Sequence, residues 1–97
     1  MPVGNFITAL DVTPGEDFAV RLSHDSWPDP WPDETAFIFM SPQAMLRVPC
    51  YADGASIVVE LNATETVFPQ VGVGWSLSAW HNGQMLRVAS GQLRRPN

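Results

Sequence analysis

His24, Asp25 and Ser26 stand side by side and are the three residue types of a nucleophilic hydrolase. A triad is assembled in space, however, and adjacent residues of an extended segment point in different directions. The other histidine, His81, flanks a turn. No catalytic residue is assigned, and the chain reads as a non-enzyme. The densest acidic cluster, Asp25, Asp29, Asp33 and Glu34, offers the hard oxygen ligands that calcium takes. It lacks the alternating spacing and the glycine of a calcium loop, and a solvated loop with an acid capping a turn accounts for it. No metal and no cofactor site is assigned. Cys50 is the single cysteine, which rules out an intramolecular disulfide; the reading is a small, inert, buried hydrophobe.

The aromatic residues carry more information. Trp27, Trp31, Trp75 and Trp80 are a large share of 97 residues. Trp75 falls on a core-facing position, and Trp31, just before Pro32, suits a plug under the fold. Trp80 pairs with Met85 on an outer face, and a large exposed apolar pair on a small domain points to contact with a partner. The candidate partner-binding residues are therefore Trp27, Trp31, Trp80 and Met85, with Arg94 and Arg95 of a short basic tail. The competing expectation is that the loop at 24–34 folds over Trp80 and covers it.

All ten carboxylates lie at or before Glu65, and only Arg87, Arg94 and Arg95 bring charge after it; the net charge is −5. Such an acidic chain is a poor partner for phosphate backbones. No apolar run approaches the roughly 20 residues that span a bilayer, and the first dozen residues lack the basic and apolar regions of a signal peptide. The expectation is a single domain, residues 1–97, that binds neither nucleic acid nor membrane. Asn62-Ala63-Thr64 matches a glycosylation sequon, which means little without a secretory signal.

The elements that would position these residues are all strands. Asn82-Gly83 is a strong hairpin signal, since a type I′ turn needs positive φ at both central positions. Folding there pairs His81 with Gln84, Ala79 with Leu86, Leu77 with Val88 and Trp75 with Ser90 on the core face. Ser76, Ser78 and Trp80 then oppose Ala89, Arg87 and Met85 on the other. Gly91 is expected to mark a bulge. A second hairpin, Met45 to Leu61, is expected to turn at Asp53-Gly54. Its core pairs are Cys50 with Ile57, Val48 with Val59 and Leu46 with Leu61, and Arg47 opposes Glu60 outside. Pro49 falls at a non-hydrogen-bonded position opposite Val58, so its missing N–H points at the next strand over, and that side should be a sheet edge or a gap.

Upstream, Asn5–Val12 and Asp17–Ser23 read as strands joined by a Thr13-Pro14-Gly15-Glu16 turn. Three prolines make residues 24–34 a loop. Thr35–Met40 is a short strand, apolar on both faces, with Phe37 and Phe39 as outward candidates. Residues 62–73 cross between layers with one helical turn at 64–68. The sum is an all-β, antiparallel, immunoglobulin-like sandwich of about seven strands.

Asp17-Phe18 opening a strand, Trp31-Pro32 and then Thr35 opening the next, an Asp-Gly hairpin, Pro69 and Gly72 before an aromatic strand, and a closing Gly91-Gln92-Leu93-Arg94-Arg95 together resemble the LtfC-like small β-sandwich proteins of actinobacterial tailed phages. The likeness spans residues 17–95. It implies a non-enzymatic virion component, made in the host cytoplasm, on the head or at the head–tail junction, that docks on capsid or head–tail subunits, with self-association as a further option. The alternative from a different class is a carbohydrate-binding module, with Trp27, Trp31 or Trp80 stacking on sugar rings.

Overall fold

The computed structural model describes residues 6–42, 45–67 and 73–94. Its seven strands are β1 (Phe6–Asp11), β2 (Phe18–Leu22), β3 (Ala36–Ser41), β4 (Leu46–Asp53), β5 (Ser56–Leu61), β6 (Val73–His81) and β7 (Gln84–Arg94). They form one continuous sheet in the spatial order β1-β7-β6-β3-β4-β5-β2. The pairings β2–β5, β3–β6 and β6–β7 are antiparallel and follow the immunoglobulin scheme. The expected all-β class and seven strands stand. Two details differ: β1 runs parallel to β7, and the two layers are halves of one sheet.

β4 is the reason for the second difference. Its first part, Leu46–Cys50, pairs with β3, and its last part, Tyr51–Asp53, pairs with β5. The turn between β4 and β5 sits at Gly54-Ala55, with Gly54 at φ 65, instead of at Asp53-Gly54. Positive φ at the first central position alone is what a type II′ turn asks of glycine. The register therefore slips by two residues from the expected one, so Ala52 and not Cys50 faces Ile57. A slip of two keeps every side chain on its face. It also carries Pro49 to a hydrogen-bonded position opposite Glu60, where a residue without N–H cannot serve the ladder. Pairing with β5 consequently begins only at Tyr51, and Pro49 pairs with Ile38 on β3. The gap expected on the far side of Pro49 is therefore absent, since Ile38 of β3 pairs there, and the unpaired side is the one toward β5. Arg47 opposes Met40, so the expected Arg47–Glu60 pair does not form.

The β6–β7 hairpin turns where expected, with φ 52 at Asn82 and 76 at Gly83. The expected pairs hold from His81–Gln84 to Ser78–Arg87, after which Val88 is an extra residue. Leu77 then opposes Ala89, and Trp75 opposes Gly91. The bulge lies at Val88 and not at Gly91, and it turns both Val88 and Ala89 into the core. Leu86, expected in the core, is half-exposed because the hairpin tip runs past it.

One apolar cluster joins both halves. Phe37, Phe39, Trp75 and Leu77 from one half meet Leu22, Ile57, Val59 and Leu61 from the other. Phe39 and Trp75 stack with ring centres 5.5 Å apart. The open end is closed by the 24–34 loop, whose Trp27 and Trp31 lie 5.6 Å apart, with Trp31 edge-on to Phe37 at 5.2 Å. The Trp31 indole N–H donates to the Ala55 carbonyl at 3.1 Å, tying this loop to the β4–β5 turn. At the other end, residues 62–66 make one helical turn, held by reciprocal 2.9 Å bonds between Asn62 and Glu65. The fully buried Thr66 hydroxyl accepts from the Gly15 N–H at 3.0 Å. The expected extent of this turn to residue 68 lies outside the described residues, as do residues 95–97.

Gly91 has a different role from a bulge. It opposes Thr8 on β1, and a Cβ there would stand 1.6 Å from the Thr8 carbonyl oxygen. Gly91→Ala should therefore push β1 off β7 and lower stability by roughly 3 kcal/mol. Gly15→Ala meets no atom within 4 Å and suffers only from its positive φ, a loss of about 1 kcal/mol. Urea unfolding of the two variants checks this; equal losses would mean that β1 does not depend on the contact.

Candidate functional site

Alternation along the strands assigns one set of side chains to the core and leaves the other on the outer face of β1-β7-β6-β3-β4. Three rows cross that face. Met85, Trp80 and Ala36 form one; Arg87, Ser78, Ile38 and Pro49 the next; Ile7, Ser90, Ser76, Met40 and Arg47 the third. Serines occupy the middle, so the face is flat, and apolar groups stand around them. Trp80 is 44% exposed, Met85 54% and Ile7 78%. Arg94 lies at the far end of the same face, its Nε donating to Asp11 at 3.0 Å. An exposed pair of that kind contributes about 0–1 kcal/mol, and here it links β1 to β7.

The expected partner-binding residues therefore separate. Trp80 and Met85 are adjacent and open, and the 24–34 loop does not cover them. Trp27 and Trp31 are buried, so they close the core and are not open to a partner as Trp80 is. Phe37 and Phe39, the outward candidates of β3, point inward; Ile38 and Met40 take the outer positions. A strand apolar on both sides gives no local signal of which side faces in, and this is why Ile38 and Met40 were missed. Arg95 lies outside the described residues.

The 24–34 loop meets the opposite side of the hairpin tip. A shallow cleft of about 190 Å³ lies there between Trp31, Pro32, His81 and Leu86. His24 and Ser26 share a 2.7 Å hydrogen bond on the exposed part of this loop. Among the described residues, no group of three or more His, Cys, Asp or Glu side chains could hold a metal ion.

The outer face of β4-β5-β2 differs in chemistry. Arg21 and Asp53 form an exposed pair at 2.6 Å, and the Tyr51 hydroxyl donates to Glu60 at 2.6 Å. That bond raises the Tyr51 pKa above its ordinary value. A larger cleft of about 420 Å³ opens beside them, lined by Asp17, Phe18, Ala19, Glu60, Leu61, Asn62 and Glu65. Its three carboxylates make this side acidic.

No protein-family model matches this chain, and no curated protein matches it. The site therefore rests on its own geometry.

Two measurements report on this arrangement. With Trp27, Trp31 and Trp75 buried, iodide should quench the fluorescence of one tryptophan, and Trp80→Phe should remove most of that quenching. Cys50 is half-buried, and burial pushes its thiol up to about 11 from 9.0, a backbone hydrogen bond at Phe39 offsetting part of the rise. Between those values the folded chain keeps a proton that the unfolded chain has released, so stability should be full below pH 9.0 and fall as pH rises toward 11. Urea midpoints across that interval should decline more steeply for the native chain than for Cys50→Ala.

Proposed function

We propose that this protein is a non-enzymatic structural component that works by docking on other proteins, and that its place is in the virion of a tailed phage, on the head or in the head–tail region. The outer face of β7-β6-β3, with Trp80 and Met85 open at one end and Ile38 and Met40 beside Ser78 and Ser76, is the observation that supports docking. Aromatic residues, methionine and arginine are the types enriched in interface cores, and all three stand here. The phage setting comes from the sequence resemblance and adds the kind of partner: capsid or head–tail subunits. The competing carbohydrate reading needs several exposed indoles for stacking and has Trp80 alone.

Purified particles of the phage that encodes the chain should contain it in fixed ratio to the capsid protein by mass spectrometry. Trp80→Ala with Met85→Ser should reduce its incorporation by roughly tenfold or more, the weight of an interface hot spot. The unfolding midpoint should stay nearly unchanged, because both side chains are exposed. Absence from particles would refute the virion role, and tryptophan fluorescence shifted by a polysaccharide would favour the carbohydrate reading.

A further inference from the structure

The two outer faces of the domain complement one another. On the β1-β7-β6-β3-β4 side the charges are Arg47, Arg87 and the Arg94–Asp11 pair. Among the described residues the ion pairs are Arg21–Asp53 and Arg94–Asp11, which leaves Arg47 and Arg87 without a carboxylate partner. Row spacing puts these two on β4 and β7 at opposite sides of the apolar patch, roughly 16 Å apart. On the β4-β5-β2 side, Asp17, Glu60 and Glu65 converge on the 420 Å³ cleft, and the exposed Tyr51 and half-buried Val58 supply apolar surface beside it. A cleft with three acids at its wall and Phe18 and Leu61 at its base suits a guanidinium on an aliphatic stem.

We propose that a second copy of this chain is a partner: the Trp80–Met85 face of one molecule seats against the β2–β5 face of the next, with its arginines directed at the carboxylates of the cleft. This deepens the docking reading and rests on it. Like faces do not satisfy the same chemistry. Two Trp80 faces brought together about a two-fold axis would oppose arginines with arginines and offer only Asp11, already engaged by Arg94, to receive them. Burying unpaired charges in that way is strongly unfavourable. Unlike faces instead set the arginines against the face that carries Asp17, Glu60 and Glu65, where, among the described residues, only hydrogen-bond donors and no cation engage the carboxylates. The area is adequate as well. The domain measures 38 × 21 × 20 Å, so a broad face offers roughly 800 Å², which is what one side of a standard interface covers. Because the two faces belong to different halves of the folded sheet and lie on opposite sides of the domain, each added copy leaves a fresh face, and the product is an open stack or a ring.

Sedimentation velocity over a concentration series tests this with the full chain. The wild type should pass beyond dimer as concentration rises. Arg47→Glu with Arg87→Glu should disable one face, and Asp17→Arg with Glu60→Arg the other, each weakening self-association by roughly tenfold or more. Mixed together, the neutralised variants Arg47→Gln with Arg87→Gln and Asp17→Asn with Glu60→Gln keep one working face each and should form a dimer that grows no further. The neutral changes Arg87→Gln and Glu60→Gln serve as a second set where a charge reversal lowers the unfolding midpoint. A wild type that stays monomeric throughout would overturn the proposal. So would an arginine variant that loses association while the acid variant keeps a dimer, the signature of like faces pairing. In either case, incorporation into particles through Trp80 would leave the docking reading standing, so the two fail separately.

Discussion

A proline cannot donate to a strand ladder, and in this chain that constraint shapes the whole domain. Pro49 sits in the middle of β4, where pairing to β5 would need its missing N–H. The strand meets the constraint by using its first part on β3 and its last part on β5. One strand thus belongs to both halves, and the sheet folds over at that point. Without the fold-over, Phe39 and Trp75 on one side and Ile57 and Val59 on the other would have no surface to bury against.

A sheet folded this way still has an open end, and the proline-dense loop closes it. Two tryptophans packed on each other and on Phe37 fill the gap. Truncating a buried tryptophan costs roughly 3–5 kcal/mol, a large part of the 5–15 kcal/mol by which a domain is stable. The loop's prolines limit its freedom before folding, so less entropy is lost in placing those rings. At the other end, Thr66 does comparable work with polar groups, holding the β1–β2 turn against the helical turn that follows β5.

The two outer faces inherit different chemistry from this arrangement. One is flat, serine-centred and apolar, with arginines at its sides; the other is acidic and has a cleft. The pattern of small residues at the centre and large apolar residues at the margin suits close approach of another flat surface. The arginines bias which surface that is. A domain built this way has its information on its faces, since the buried interior is occupied by packing alone.

Much of the architecture was legible in the sequence, because its signals are local. Asn82-Gly83 specifies its turn through backbone φ, alternation in residues 17–23 and 74–87 specifies strands, and three prolines forbid them in 24–34. These depend on neighbours within a few residues. Even the two-residue slip of the β4–β5 hairpin left every face assignment intact, since side chains repeat with a period of two. Tertiary structure decided the rest. The inward side of β3 is set by what lies across the core, and the sequence of that strand is apolar on both sides. The bulge at Val88 sets both Val88 and Ala89 in the core, and Trp27 and Trp31 are buried because the folded sheet leaves a hole of their size. Contacts between residues far apart in the chain settle such choices, and no short stretch of sequence contains them.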